Sequence, residues 1–368
     1  MRKTLICALL VAALCLACAG AFAAGTTVRT LTPFADVDFA AQTFMDIVTG
    51  WEEATGNIVE DYSGLIDEGW LTRMQDLIGE GEADLLIVPV GSGLTAQQVV
   101  TVDELMQGAP QLGARSFASM AETDGSVLLT PVRLNWEALY VNTDVLQAAG
   151  VSVPSTFDEL LLACATLSQK GVTPIANALC EWAEITLDCA ALIGAPAEAF
   201  GQEASLTGAK DALAALAAVG AFGQDPWNAE DAEMEELFLN GQAAMRFDAD
   251  VLAQNVSAER AQNMVVVNLA GSDGQARTAL VGTPSFGLTL SRACWDDPAR
   301  REAALSLAAE LLGGESSALL ISGAEGTLGE SIAALTASAT DCTGLLYDFN
   351  ADGFDAWADS VVASLMGQ

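Results

Sequence analysis

The chain has 368 residues, 52% of them hydrophobic, with a formal net charge of −35 and no histidine. That length and apolar content suit two domain-sized cores. The charge excludes nucleic acid and disfavours anionic membrane surfaces, since both need clustered Lys and Arg. The missing histidine removes imidazole metal ligands, imidazole general bases and Ser-His or Cys-His dyads. The acidity itself reads as the solubility of an exported protein.

Residues 1–24 read as a targeting segment. Arg2 and Lys3 precede an apolar run, Leu5 to Leu16, that is too short to span a bilayer. Ala21-Phe22-Ala23 has the small-x-small form of a signal peptidase site and predicts cleavage after Ala23 or Ala24. Cys18 offers a rival, a lipidated N-terminus, although Cys15-Leu16-Ala17 before it makes a poor lipobox. The expected location is extracytoplasmic, either free or lipid-anchored to the outer face of the membrane. Past this segment lie Cys164, Cys180, Cys189, Cys294 and Cys342, with no C-x-x-C. A disulfide within the first three stays open, but a disulfide scaffold is absent.

Strand and helix then alternate. Thr27 to Thr32 predicts a first strand, and Asp38 an N-cap. Ala40, Phe44, Ile47 and Trp51 follow at helical spacing, and Gly56 closes that helix. Asn57 to Tyr62 is a second strand, Leu71 to Ile78 a helix, and Ala83 to Val88 an apolar run suited to a buried parallel strand. Such a rhythm predicts an open α/β sheet, whose ligands sit beyond the carboxyl ends of the strands. Ala138 to Val141 is another strand, and Thr143 to Ala149 a short helix stopped by Gly150. Thr156-Phe157-Asp158-Glu159 fits a capping box for the next helix. Helical patterns follow at Leu160–Leu167, Ile185–Ile193, Ala209–Val219, Met234–Asn240 and Ala303–Leu312, with strand-like runs at Met264–Leu269 and Gly287–Leu290.

Several motifs in this order resemble one family. Leu139-Tyr140-Val141-Asn142-Thr143-Asp144, then Gly150, Pro154, Thr156, Phe157, Glu159 and Leu160, resemble a strand-to-helix stretch of the bacterial extracellular sugar-binding receptors of ABC transporters, the maltose-binding-protein-like family. Phe44…Trp51-Glu52…Thr55-Gly56, Ala83-Asp84-Leu85 and Gly171-Val172-Thr173-Pro174…Trp182 match further family segments. Phe238-Leu239-Asn240-Gly241-Gln242-Ala243-Ala244-Met245 is the closest match. Val141 departs from the pattern, where the family usually has an aromatic residue. The resemblance covers nearly all of the chain beyond residue 24. It implies a two-lobe, type II periplasmic-binding-protein-like fold, each lobe an open α/β sheet flanked by helices and joined by hinge strands. The implied first lobe is 25–138 with 282–330, and the second is 139–281 with 331–368.

The same resemblance implies a cleft. It places Asn135 and Trp136 on the cleft side of the first crossing strand, with burial of Trp136 in the core as the competing reading. Trp182 would stack on a sugar face. Asp248 and Asp250 stand where the family often has Gly-Trp; they could accept sugar hydroxyls, pair with a cation, or form a solvated turn. Arg133 either bridges a ligand or, as its acidic surroundings favour, forms a structural ion pair. Asp36, Gly91-Ser92 and Thr283-Pro284-Ser285 are rim candidates. Asp348-x-Asn350-x-Asp352-Gly353 with Asp359 approaches a calcium loop. Asp355 and Ala356 at its eighth and ninth positions favour a plain acidic turn, so no metal is assigned.

The expected function is therefore capture of a mono- or oligosaccharide for a membrane ABC permease, by a monomer without cofactor or catalysis. Two readings compete. One keeps the fold and binds an amine or other cation, as the acidic balance and the low aromatic content of 6% suggest. The other is a carboxylate-based glycoside hydrolase, for which no motif frames an acid pair.

Overall fold

The computed structural model describes residues 25–179, 183–194, 203–223, 226, 228–313 and 323–343. The targeting segment, Trp182 and the Asp348–Asp359 loop lie outside the described residues.

The first βαβ unit runs β1 (Thr27–Leu31), α1 (Ala41–Thr55), β2 (Ile58–Asp61), α2 (Trp70–Glu80) and β3 (Leu85–Pro89). After α3 (Val102–Gly108) the chain enters a 13-residue strand, β4 (Thr130–Asn142). Then come α4 (Thr143–Ala149), α5 (Phe157–Gln169), β5 (Thr173–Ile175), α6 (Ala183–Gly194), α7 (Glu203–Ala218), α8 (Asp231–Leu239), β6 (Ala243–Ala249) and β7 (Met264–Val267). A second long strand, β8 (Ala279–Leu290), leads to α9 (Pro298–Leu312), α10 (Gly326–Ser338) and β9 (Asp341–Cys342). α10 spans the expected lobe boundary at 330/331 and packs against β7.

One sheet holds the strands in the order β2-β1-β3-β8-β4-β6-β5, with β7 on β4 and β9 on β8. β4 changes partner along its length. Its first part, Thr130 to Glu137, pairs antiparallel with β8; its second, Glu137 to Asn142, pairs with β6 and β7. β8 likewise pairs with β4 and, from Phe286 to Leu290, with β3. These two strands carry the sheet from one set of helices to the other.

Period-2 alternation explains the cores. Leu85 and Ile87 face a cluster with Phe44, Trp51, Leu288 and Leu307. Leu139 and Val141 face another with Phe157, Leu160, Leu213 and Met245. The alternate residues Leu86, Val88, Leu134, Trp136, Ala138 and Tyr140 join a third cluster that reaches Trp70, Met264 and Leu328. Fully buried Asp84 accepts the backbone N–H of Arg29 at 2.9 Å and pairs with Arg300, fixing α9 to the end of β3. Arg115 donates to the carbonyls of Thr336, Ala337 and Ala339 at 2.9–3.2 Å and so caps the C-terminal end of α10.

Two capping expectations need correction. Ala40, not Asp38, is the N-cap of α1; the Asp38 carboxylate accepts the Ala40 N–H at 2.8 Å but is turned to a distant arginine. At α5 the Thr156 hydroxyl accepts the Glu159 N–H as expected, yet Glu159 reaches back to Ser155, at 2.7 and 2.8 Å, instead of Thr156. Cys164 is a free buried thiol, its pKa pushed up to about 12 by burial.

Candidate functional site

The turn after β1 brings Asp36, Asp38 and Phe39 to the carboxyl end of the first sheet half. Asp36 is exposed at φ 54°, a left-handed conformation that Asp tolerates better than most residues. A register irregularity in β4 falls at Arg133. The residue is 8% exposed, and its guanidinium forks onto Asp38 at 2.9 and 3.1 Å. The same group lies over the rings of Phe39 at 4.2 Å, Phe34 at 4.9 Å and Phe286 at 5.7 Å. The favoured structural ion pair is what the structure contains, reinforced by cation–π contacts. Ser285 donates its hydroxyl to the Arg133 carbonyl at 3.0 Å and accepts the Val90 N–H at 3.0 Å. Half-buried Ser92 follows in the turn after β3 and donates its backbone N–H to Pro89.

Asn135 and Thr283 stand opposite each other in the two crossing strands, both exposed. Beside them Gly282 has φ 140°, and a Cβ there would meet the Asn135 carbonyl at 2.0 Å. Only glycine permits this approach of the two backbones.

Trp136 is 1% exposed, with its ring stacked on Tyr140 at a centroid distance of 5.8 Å. It points with Leu134 and Ala138 into the third cluster and offers no face to solvent, so its expected place on the cleft side is corrected to the core. Its backbone engages Asp250 twice: the Asp250 N–H donates to the Trp136 carbonyl at 2.8 Å, and the Trp136 N–H donates to the Asp250 carboxylate at 3.3 Å. Burial raises the Asp250 pKa to about 6, against the pull of the Trp136 N–H and of Arg133.

Asp248 is 6% exposed and paired with Arg246. Arg246 also forks onto Asp231 at 2.8 and 2.9 Å and donates to the Ala176 carbonyl at 2.9 Å. Burial alone would lower the Arg246 pKa, but Asp248 and Asp231 more than offset it and raise it, so the guanidinium stays charged. The solvated-turn reading of Asp248 is corrected: Asp248 belongs to a buried network inside β6.

The structure thus brings Arg133 together with Ser285, beside the turn that carries Asp36 and Asp38, then Asn135 with Thr283, and Trp136 with Asp250 beyond. Sequence reasoning missed Asp38, Phe39, Phe286, Arg246 and Asp231. The signal for Arg246 was a lone basic residue inside the apolar run Ala243 to Phe247. A separate cavity of about 280 Å³ lies elsewhere, lined by Leu112, Arg115, Val132, Leu311 and Thr336 among others.

The family model of the bacterial extracellular solute-binding proteins matches residues 40–284. The chain belongs to that family. Its fold is the family's two-lobe α/β fold, and both are those of binding proteins rather than enzymes. A structure described as a "probable secreted solute-binding lipoprotein" from Streptomyces coelicolor superposes with a TM-score of 0.63 at 15% identity, covering 93% of this chain and 98% of that one. The solute receptor AcbH, described as preferring β-D-galactopyranose, gives 0.61 at 16% identity, covering 93% and 97%. A protein studied for xylan utilisation in Caldanaerobius polysaccharolyticus gives 0.51 at 20%, covering 93% and 96%. No curated protein matches the sequence. Among the described residues no helix is long and apolar enough to cross a membrane.

Proposed function

We propose that the chain is the extracytoplasmic substrate-binding component of an ABC importer, and that it closes two lobes around a carbohydrate. The observation that carries the reading is the pair of long strands β4 and β8, which join the two packed halves and expose Asn135 and Thr283 between them. Planar amide and hydroxyl groups at such a junction suit sugar hydroxyls. The family, and two fold neighbours described with galactopyranose and with xylan, support the substrate class. In this reading the first lobe comprises 25–138 with 282–330, and the second 139–281 with 331–368. The protein is exported, free or lipid-anchored, and acts as a monomer that presents both lobes to a membrane permease.

Two competing readings lose support at Asp248. Arg246 meets its charge, which leaves Asp250 as the one acid of that pair for an amine or for acid–base chemistry. A thermal-shift screen of the chain from residue 25 with galactose, xylo-oligosaccharides and spermidine tests the proposal. A ligand at 100 times its dissociation constant stabilises by roughly 2.7 kcal/mol. A shift with one sugar class supports the carbohydrate reading, and a shift with spermidine alone overturns it.

A further inference from the structure

Most arginines among the described residues pair with a carboxylate. Arg115 pairs with none of them, in a chain with a formal net charge of −35. Its Nη1 donates to the carbonyls of Thr336, Ala337 and Ala339, and the Phe117 ring lies 5.3 Å from its Cζ. Those partners are neutral, so the charge is met by dipoles alone. Among the described residues nothing engages its Nε and Nη2, and that edge of a guanidinium is one that forks a carboxylate.

Arg115 lines the cavity of about 280 Å³, and so does Thr130, the first residue of β4. Thr130 is 2% exposed, and its hydroxyl accepts the Arg115 backbone N–H at 2.8 Å. The proton of that hydroxyl has no acceptor among the described residues and is left to give. The other walls are apolar: Leu112 from the short helical turn Pro110–Leu112, Val132 of β4, and Leu311 and Leu312 at the end of α9. No carboxylate lines the cavity among the described residues. Donors without an acid, set in an apolar wall, suit an anion with an apolar body. A cavity about half this size takes up benzene.

We propose that this cavity is a second ligand site, for a monocarboxylate on a short apolar body, with the carboxylate forked by Arg115 and bonded by the Thr130 hydroxyl. Thr130 lies roughly 17 Å along β4 from Asn135, so the site is separate from the sugar junction. An occupant touches β4, α9 and α10 together and so braces the helix that packs on β7.

Calorimetric titration of the chain from residue 25 at pH 7 with isovalerate and benzoate tests the site, with isovaleramide and inorganic phosphate as controls. Saturable one-to-one binding of at least one carboxylate is expected. The amide should bind at least about tenfold more weakly, because it lacks the charge that strengthens the Arg115 bonds, and phosphate should not saturate. Ala333→Phe fills the cavity from α10 without removing either donor and should abolish binding. Asn135→Ala, at the sugar junction, should leave carboxylate binding unchanged. The proposal is overturned if neither carboxylate binds, if the amide or phosphate binds as tightly, if Ala333→Phe binds like the parent, or if Asn135→Ala abolishes binding. If Ala333→Phe does not fold, Arg115→Lys decides, since lysine keeps the charge and loses the fork: binding weakened about tenfold supports the site, and unchanged binding contradicts it. A chain that binds no sugar leaves each of these outcomes readable.

Discussion

Arg133 and Asp38 are 95 residues apart and meet as a two-pronged ion pair with their side chains 10% and 17% exposed. The pair ties the turn after β1 to the crossing strand β4. Removing one partner leaves the other charge half-desolvated. Breaking a buried pair costs about 3–5 kcal/mol, and the partial exposure here places Asp38→Asn near the lower end. Arg133→Lys should not rescue the loss, because an ammonium lacks the fork and the planar face that lies on Phe39. Urea denaturation of the variants measures both effects.

Gly282→Ala should be more damaging than its size suggests. The added Cβ would strike the Asn135 carbonyl, and φ 140° is closed to alanine. Strain of this kind costs about 1–3 kcal/mol before the clash is counted. The expected outcome is a large drop in melting temperature or no soluble protein; a variant as stable as the parent would contradict the close crossing of β4 and β8.

Glu104 and Arg292 give acid sensitivity. The Arg292 guanidinium first, and then the Thr101 backbone N–H and hydroxyl, hold the Glu104 carboxyl down at about 2, despite some burial. A depressed carboxyl stabilises above its unfolded pKa, and that contribution fades as pH falls from about 4.5 toward 2. Glu104 is 40% exposed, so solvent screening leaves a contribution on the order of 1 kcal/mol. Glu104→Gln should lower stability at pH 7 and converge with the parent only as pH falls to about 2, when unfolding is followed by circular dichroism.

Asp250 has the opposite sign. Its pKa is raised by burial to about 6, so its favourable contribution is complete below the unfolded value of 3.8 and is lost as pH rises through 6. Asp250→Asn should therefore be more stable than the parent at pH 7.5, by on the order of 2 kcal/mol, with little difference at pH 4. Paired melting curves at the two pH values measure it.

How much was legible follows from where the determinants lie. The Leu85–Val88 run reads as a strand buried on both faces because each of its side chains is apolar, and that is how it packs. Gly56 and Gly150 end their helices in the left-handed conformation that the pattern demands. The first half of β4 was hidden, since Arg133 and Asn135 break the apolar rhythm. Gly282 and Pro284 likewise made the first half of β8 read as a loop. Their meaning is long-range, in a backbone approach and a change of strand partner that no local window contains. Asp38 misled for the same reason, because the Arg133 fork outweighs a local cap. Trp136 could have been read correctly: Leu134, Trp136, Ala138 and Tyr140 alternate toward one core, and that period was in the sequence.

The proposed function rests on an exposed polar junction between β4 and β8 as the place that receives a carbohydrate. Calorimetric titration of the chain from residue 25 with galactose and xylo-oligosaccharides, on the parent and on Asn135→Ala and Thr283→Ala, tests it most directly. Saturable binding of one sugar class is expected. Each substitution should weaken it about tenfold, the size of one lost hydrogen bond of about 1.4 kcal/mol, with the melting temperature of the free protein unchanged. Sugar binding that ignores both substitutions, or binding of spermidine with none of any sugar, would contradict it.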